Sequence, residues 1–440
     1  MSPGETDRSS DVSGFYKLDV AERRRRLQAW AGLTDAEIAS YEFPSGVDPG
    51  ILTRMIENVV GVFPLPLGIA THFRINGRDY LIPFALEEPS VVAAASNSAK
   101  VARAGGGFHA QTTAPIMIGQ VQVLGVHDPE AARHRILSER DRLLALANEK
   151  DPMLVKFGGG ARELEVRILP SPRGTMLVVH LLVDARDAGG MNAVNTMCEA
   201  LAPEIATLAG GRVVLRIISN LAVYRLARAR AVFPAAALAT EHADGPAVVE
   251  AILDAYTLAV VDPFRCATHN KGIMNGISAV TIATGNDFRA VEAGAHSYAA
   301  FRAGDGSPLR PLTTYEKDRN GDLVGTIELP LAVGLIGGAT AVHPTAKANV
   351  RLLGVRSAQE LSHVLASVGL AQNFAALRAL ATEGIQRGHM GLHARNIAAT
   401  AGARPDEVEA VVARLVAEHA IRIDRAKEIL EELRRPPRPG

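Results

Sequence analysis

Between residues 115 and 219, runs of apolar and polar positions predict four strands and two long helices. The strands are apolar runs bounded by turn residues, at Ile116–Val126, Leu164–Leu169, Thr175–Val183 and Arg212–Ile218. A helix that begins after Asp128 would carry one apolar face, formed by Ile136, Leu137, Leu143, Leu144 and Ala147. A second helix, from about Met191 to Leu208, would end at Gly210. This βαββαβ order is typical of a ferredoxin-like unit, here inserted into a larger domain.

The chain on either side of this unit is richer in small residues and glycine. An Ala- and Ser-rich helix is expected at Val91–Ala104, with Pro89 as its first residue because proline is well tolerated there. The Gly-rich segments His269–Gly276, Gly285–Asp287 and Gly334–Thr340 predict turns, which would bring backbone N–H groups close to ligands.

The C-terminal residues predict a separate helical lobe. An apolar stripe at helical spacing runs through Val408, Val411, Val412, Leu415 and Val416. One narrow stripe on a helix indicates a small lobe that rests on the body and can move. We therefore predict an α+β fold: a large α/β body at residues 1–114 and 220–380, an inserted ferredoxin-like βαββαβ domain at 115–219, and a helical lobe at 381–440.

Composition and charge exclude several classes of protein. The 440 residues hold 47 Lys and Arg against 47 Asp and Glu, so the chain lacks the cationic excess of a nucleic-acid or acidic-membrane binder. Its two cysteines cannot form a disulfide framework, which favours a reducing compartment. The N-terminus has no apolar signal-peptide core, and the apolar run Leu329–Val342 is too short to span a bilayer. We expect a soluble cytoplasmic protein with no membrane partner.

Metal binding is not expected. His389 and His393 lie four residues apart, as two ligands on one helix face would, but the zincin motif needs glutamate where Met390 stands. No compact group of Cys, His and Asp completes such a site. A histidine in a mobile lobe could instead be a proton donor near neutral pH, and the alternative is an ordinary surface histidine.

Two further patterns could carry chemistry. Residues Asp187–Asn192 follow a strand and open a helix, whose N-terminal amides suit a pyrophosphate; the alternative is an ordinary glycine turn with Asp187 as helix cap. Lys271, Asp287 and Glu88 could form a buried lysine–carboxylate cluster, in which the lysine stabilises an oxyanion and a carboxyl delivers a proton. The alternative is a solvated loop lysine.

Taken together, these strings resemble hydroxymethylglutaryl-coenzyme A reductase in its soluble, class II bacterial form. The matching segments are Glu57–Gly61, Glu87–Ser90, Asp187–Asn192, Ala267–Gly276, Gly285–His296, Val333–Thr340 and Gly384–Asn396. They follow one another in order over about residues 50 to 425. The resemblance implies a substrate-binding body, a nucleotide-binding inserted domain and a C-terminal flap.

The resemblance also implies roles for individual residues. The positions that match the catalytic residues of the family are Glu88, Lys271, Asp287 and His389. Those that match positions around the acyl group, the thioester or the cofactor are Ser90, Asn220, Arg265, Asn275 and Gln372. The implied reaction interconverts hydroxymethylglutaryl-coenzyme A with mevalonate and coenzyme A, by two hydride transfers. The implied assembly is a homodimer with interfacial active sites, which a hexamer could incorporate.

The implied cofactor site is in the inserted domain. Its residues are Asp151, Asp187, Gly189, Gly190 and Asn192. Asp151 would hydrogen-bond the ribose 2′-hydroxyl and repel a 2′-phosphate, which favours NAD(H) and leaves NADP(H) as the alternative. The string Asp-Ala-Gly-Gly-Met-Asn departs from the Asp-Ala-Met-Gly-Ala-Asn form of the family, and Lys17 stands where an arginine is expected for coenzyme A phosphates. Two other functions compete: a hydrolase or lyase on a coenzyme A thioester, and a non-catalytic acyl-coenzyme A sensor.

Overall fold

The computed structural model describes residues 13–44, 48–302, 309–338, 342–382 and 394–434. Ten strands lie in these ranges: β1 (Leu67–Ile75), β2 (Arg78–Ala85), β3 (Phe108–Thr112), β4 (Ile116–Leu124), β5 (Gly160–Leu169), β6 (Met176–Asp184), β7 (Arg212–Ser219), β8 (Leu226–Phe233), β9 (Thr313–Lys317) and β10 (Leu323–Pro330). They form a six-stranded sheet in the order β2-β1-β3-β8-β10-β9 and a four-stranded sheet in the order β5-β6-β4-β7.

The helices surround these sheets. Their bounds are α1 (Val20–Ala31), α2 (Asp35–Ala39), α3 (Pro49–Met55), α4 (Val91–Ala104), α5 (Pro129–Ser138), α6 (Arg140–Asn148), α7 (Pro152–Lys156), α8 (Met191–Ala209), α9 (Gly245–Val261), α10 (Pro263–Ala283), α11 (Phe288–Phe301), α12 (Pro344–Leu353), α13 (Ala358–Ala381), α14 (Val408–Ala417) and α15 (Ile423–Arg434). Residues 394–400 are also helical. The mixed α+β class predicted from the sequence is confirmed.

The body is built around α13, which is apolar on most of its circumference and packs against α4, α9, α10 and the large sheet. Strand β8 presents Ala227, Ala229 and Ala231 to this side, and these small side chains let the helix approach closely. The 24 residues of α13 are long and apolar enough to cross a membrane, but 67% of its apolar window is buried inside the protein. Among the described helices it alone has that length and composition, and its burial is that of a core helix.

The inserted domain follows its predicted plan closely. Each helical crossover, from β4 to β5 and from β6 to β7, passes over one strand, so that all neighbours are antiparallel as in a ferredoxin-like unit. The helix predicted after Asp128 is divided into α5 and α6 at Glu139, where ψ is 12° and the N–H turns back to the carbonyls of Ile136 and Leu137. Ile136 and Leu143 are nevertheless both buried against the sheet, as the pattern predicted.

Within the described ranges, buried apolar side chains form three separate clusters. The body cluster includes the stacked rings of Phe233 and Phe374, whose centroids are 3.7 Å apart. A second cluster lies between the helices and sheet of the inserted domain. The third belongs to the C-terminal residues and comprises Ala394, Ala398, Val411, Leu415, Ala426, Ile429 and Leu430. The domain boundaries given above stay a prediction, as does the movement of the C-terminal lobe.

Two local predictions in the body are wrong. Residues His269–Gly276 are not a turn but the middle of α10. Gly276 serves helix packing there, because a Cβ at this position would come within 2.7 Å of Val368 on α13. Pro89 does not open α4, which begins at Val91. Ser90 precedes it with a φ of 69°, a left-handed conformation that is uncommon for a residue with a side chain.

Candidate active site

A cavity of about 620 Å³ lies between α4, α10 and α13. Six of the residues predicted to bind substrate or to act in catalysis line it: Glu88, Ser90, Arg265, Lys271, Asn275 and Gln372. They come from three parts of the sequence, up to 284 residues apart (372 − 88). The structure therefore brings most of the predicted substrate site together in one place.

Helix α10 supplies most of the polar wall. Arg265, Thr268, Gly272 and Asn275 recur at helical spacing and so face one side, with Lys271 at its edge. Gly272 has open space where a side chain would begin, which leaves the cavity free at that point. The facing walls of α4 and α13 are rich in alanine, so that an extended ligand could lie between the helices.

The charges of the cavity favour an anionic ligand. Among the described residues, the charged side chains that line it are three cations, Arg265, Lys271 and Arg378, and one acid, Glu88. Ser90, which follows that acid closely in the sequence, forms the turn immediately before the start of α4. A cationic cleft of low dielectric attracts anionic substrates and strengthens their contacts. The groups present can bind a carboxylate, stabilise an oxyanion and move a proton.

A buried carboxylate that interacts electrostatically with Lys271 was not identified from the sequence. Burial by itself would raise the pKa of Glu292, but hydrogen bonds from His296 and Ser278, with the positive charges of His296 and Lys271, lower it below its usual value. Glu292 on α11 is therefore stabilised as an anion. It lies in the string Gly285–His296, but nothing in the spacing tied it to Lys271, since the interaction depends on how α10 and α11 pack.

Asp287 is placed elsewhere on the chain. It caps α11, accepting hydrogen bonds from the N–H groups of Arg289 (3.0 Å) and Ala290 (3.2 Å). Lys271 stands twelve residues before the end of α10 at Ala283, about 18 Å along the helix axis. Within the described chain, no hydrogen bond or ion pair joins Asp287 to Lys271 or Glu88, and Asp287 does not line the cavity.

The predicted cofactor loop, Asp187–Asn192, is linked to Asp287 through Gly334. The carbonyl oxygen of Asp187 accepts an N–H bond from Leu335 at 2.8 Å, and a Cβ on Gly334 would come within 2.5 Å of the nitrogen of Gly189. The N–H of that same Gly334 bonds to the side chain of Asn286, the neighbour of Asp287. The loop and Asp287 are therefore neighbours in the fold.

The alternative in which Asp187 caps the helix of an ordinary glycine turn is wrong. Asp187 does not cap α8; its carboxylate accepts the N–H of Ala358, at the start of α13, at 2.7 Å. Gly190 occupies the cap position of α8 with a φ of 92°, and no described side chain caps the first N–H groups of this helix. Asn192 lies in the first turn of the helix. Free amides at the start of a 19-residue helix fit a pyrophosphate.

A buried arginine supports this loop and was missed from the sequence. Arg225 donates to the carbonyl oxygens of Ala188 (3.1 Å) and Gly189 (3.4 Å), and also to Val333. Burial lowers the pKa of Arg225 to about 10, which leaves it charged at neutral pH. A single arginine in an otherwise ordinary segment carries no sequence signal for this role.

The remaining predicted residues are placed as follows. Asp151 caps α7 at the end of the inserted domain where β6 leads into the loop, and it accepts the N–H of Leu154 at 2.9 Å. The carbonyl oxygen of Asn220 lies 2.8 Å from where a Cβ on Gly294 of α11 would stand. His389 and His393 lie outside the described residues. In the described part of the chain, no group of three or more His, Cys, Asp or Glu residues could hold a metal ion.

Comparison with known proteins agrees with this geometry. The family model of hydroxymethylglutaryl-coenzyme A reductase matches residues 19–394. The 3-hydroxy-3-methylglutaryl-coenzyme A reductase of Archaeoglobus fulgidus is 59% identical over 426 residues, covering 97% of this chain and 95% of that one. A probable reductase of the same name from Borreliella burgdorferi is 34% identical over 393 residues, or 87% and 85% of the two chains.

Solved structures of reductases of the same name share the fold. The class II reductase of Streptococcus pneumoniae, solved bound to NADPH in open conformations, superposes with a TM-score of 0.74 at 41% identity, covering 95% of this chain and 100% of that one. A second structure of the Streptococcus pneumoniae enzyme gives a TM-score of 0.73 at 40% identity, with coverage of 96% and 99%. This chain therefore belongs to the hydroxymethylglutaryl-coenzyme A reductase family, in its class II form.

Proposed function

We propose that this protein interconverts hydroxymethylglutaryl-coenzyme A with mevalonate and free coenzyme A, with NAD(H) as the preferred cofactor, in the cytoplasm. Each thioester consumes two hydrides and two protons on its way to mevalonate. The observation that carries this proposal is that one cationic cavity gathers Glu88, Ser90, Arg265, Lys271 and Asn275. A bound nicotinamide would supply the hydride, at the surface formed by the Asp187–Asn192 loop.

The residues of the cavity suit this chemistry. Lys271 would stabilise the negative charge that develops on the thioester oxygen, since a fixed cation aimed at a developing oxyanion lowers the barrier. Arg265 would bind the carboxylate of the acyl group, with the planar fork that suits such a partner. Glu88, just before the start of α4, is our candidate proton source for the second reduction.

The separation of Asp287 from Lys271 supports a dimeric active site. Asp287 is linked to the Asp187–Asn192 loop through Asn286 and Gly334, and Asn220 contacts the helix that Asp287 caps, whereas Glu88 and Lys271 lie in a cavity that none of them lines. If all of them act on one substrate, a second copy of the chain must bring its cofactor surface to the cavity of the first. An isologous dimer supplies this arrangement twice by symmetry.

The reaction itself is tested by absorbance at 340 nm. Hydroxymethylglutaryl-coenzyme A with NADH should give a decrease that requires both substrates, and mevalonate, coenzyme A and NAD should give the reverse change. A thioester hydrolase or lyase would release free thiol without any nicotinamide. An acyl-coenzyme A sensor would bind the thioester and turn over neither. Either of those two results would refute the proposal.

Asp151→Ala should relax the discrimination against NADP(H). The carboxylate, whose Oδ1 accepts the N–H of Leu154, can accept from a ribose 2′-hydroxyl through its other oxygen but repels a 2′-phosphate. Its removal should therefore raise kcat/KM for NADPH about tenfold relative to NADH. The ratio of the two kcat/KM values measures the effect. Asp151→Asn is the control, because asparagine keeps the cap of α7 while losing the charge. An unchanged ratio in both variants would remove the argument for NAD.

His389→Ala should separate the two reductions. As predicted from the resemblance, His389 protonates the departing coenzyme A thiolate, a step needed for the thioester but absent from mevaldehyde reduction. We expect kcat for the thioester to fall about a hundredfold or more and reduction of added mevaldehyde to change little. His393→Ala is the matched control, with a small effect on both. Equal losses on both substrates would contradict the proton-donor role.

A further inference from the structure

Two arginines on facing helices line the candidate cavity, Arg265 on α10 and Arg378 on α13. Arg265 is the first residue of the row that α10 presents to the cavity. On α13 the corresponding row recurs at the spacing i, i+3, i+4 and i+7 and consists of Ala375, Arg378, Ala379 and Thr382. Both arginines are partly exposed, so a ligand in the cavity can reach them.

Helices α10 and α13 pack against each other in opposite directions. A Cβ on Gly276 of α10 would lie 2.7 Å from the side chain of Val368 on α13. Seven residues earlier on α10, the carbonyl oxygen of His269 is 3.4 Å from Nδ2 of Asn373, which is five residues later on α13. A step back along α10 therefore matches a step forward along α13.

This packing places the two arginines at one level of the cavity. Arg265 lies four residues before His269 on α10, and so about 6 Å along the axis. Arg378 lies five residues after Asn373 on α13, about 7.5 Å in the same direction. Packed helix axes are about 8–10 Å apart, a gap that two arginine side chains can bridge with a ligand group between them.

The two guanidinium groups are not neutralised by the protein. Within the part of the chain that the structure describes, no hydrogen bond or ion pair joins either group to another residue. The acid closest to Arg265 in the sequence is Asp262, whose carboxylate caps α10 by accepting the N–H of Arg265 at 2.7 Å. Two cations at one level of a cavity repel each other unless an anion lies between them. Their arrangement therefore indicates a site for an anionic group of the ligand.

The dimensions of the proposed substrate indicate which anion this is. Lys271 lies six residues after Arg265, about 9 Å along α10. In the acyl group, four bonds separate the thioester carbon from the carboxylate carbon, about 5 Å when extended, and the flexible lysine side chain can cover the rest. The first phosphate of coenzyme A is about 13 bonds from the sulphur, or about 16 Å when extended, which is beyond this span. The group between the arginines is therefore the carboxylate.

We propose that Arg378 binds the terminal carboxylate of the acyl group together with Arg265, and that Arg378 thereby makes the cavity specific for acyl thioesters that carry a second carboxyl group. The inference rests on the proposed function for the identity of the acyl group. Two guanidinium groups from different helices can donate to both carboxylate oxygens at once. Arg378 is then a specificity-determining residue, with no part in hydride or proton transfer.

The test compares two ligands in four proteins. Calorimetry in the absence of nicotinamide gives the Kd of hydroxymethylglutaryl-coenzyme A and of 3-hydroxy-3-methylbutyryl-coenzyme A, in which a hydrogen atom replaces the carboxylate. The proteins are the native chain, Arg378→Gln, Arg378→Lys and the matched control Arg351→Gln. Arg351 is an exposed arginine on α12 that does not line the cavity.

We expect the preference of the native protein for the carboxylated ligand to fall about tenfold in Arg378→Gln, because one charge-assisted contact is lost while Arg265 remains. Arg378→Lys should keep the preference within about threefold, since lysine retains the charge but not the planar fork. Arg351→Gln should leave the preference unchanged.

A ratio of the two Kd values in Arg378→Gln equal to that of the native protein would overturn the inference. If both ligands weakened alike, Arg378 would instead contact the coenzyme A portion or serve the structure. A native protein without any preference would overturn it too, since no carboxylate site would then exist. Because the readout is a ratio within one protein, partial unfolding of a variant does not alter it. Absence of turnover by the native protein would refute the proposed function, with the Kd ratio still deciding the role of Arg378.

Discussion

Lys271→Ala should lower kcat for thioester reduction by about a hundredfold to a thousandfold while leaving the fold intact. Lys271 is an exposed residue in the middle of α10, and alanine is the strongest helix former, so the substitution has little structural cost. By our proposal, the substitution removes the cation that stabilises the thioester oxygen as negative charge develops on it. KM should change much less than kcat, because a carbonyl oxygen without that charge gains little from the lysine in the ground state.

The measurement is steady-state oxidation of NADH at saturating thioester, with circular dichroism to confirm the helical content. Lys100→Ala is the matched control: Lys100 is also an exposed lysine on a helix, α4, but does not line the cavity, and its loss should leave kcat unchanged. Near-native turnover of Lys271→Ala would exclude the oxyanion role and would shift attention to Arg265 as the remaining cation on that wall.

The inserted domain was the part of the fold that local pattern predicted best. Its strands are apolar runs bounded by turn residues, its helices carry one apolar face, and its turns contain Gly and Pro, so each element is specified by residues close in sequence. The predicted strand Ile116–Val126 and the observed Ile116–Leu124 differ only at one end. The break at Glu139 was not predicted, because the apolar spacing continues across it.

The body was harder to predict because its glycines serve tertiary contacts. Gly276 is a glycine so that α10 can touch Val368 of α13, and from sequence alone that requirement looks like a turn. The same holds for Asp187, whose partner Ala358 lies 171 residues away. Local rules assign such residues to local structure, whereas the packing of distant elements determines what they do.

The candidate site shows the same division. Residues within recognisable strings, such as Glu88 and Lys271, were found, and the structure places both in one cavity. Arg225 and Glu292 were missed, because each depends on a partner from another element: backbone carbonyls of the cofactor loop for Arg225, and Ser278 of α10 for Glu292. The separation of Asp287 from Lys271 could not have been predicted, since it depends on the directions of α10 and α11.

The separation of Asp287 from Lys271 predicts that activity is restored in a mixed dimer of two inactive variants. Lys271→Ala and Asp287→Asn should each be nearly inactive alone, with the fold of the second preserved because asparagine is also a good helix cap. Co-expressed with different affinity tags and purified through both, they form a heterodimer. If each site takes Lys271 from one chain and Asp287 from the other, one site carries both lesions and its symmetry mate carries none, so activity should return to about half that of the native dimer.

The matched control pairs Lys271→Ala with Glu88→Gln. These residues line the same cavity of one chain, so that in their heterodimer every site keeps one lesion and activity should stay low. Failure of the first pair to recover, with dimers confirmed by their mass, would mean that Asp287 acts on the cavity of its own chain or not at all. In the first case, α11 would have to move through much of the distance of about 18 Å between its start and the level of Lys271 on α10. The buried packing of Ala290, Val291 and Ala295 on α11 opposes such a rearrangement. A shared site needs no such movement, which is why the geometry of one chain favours two.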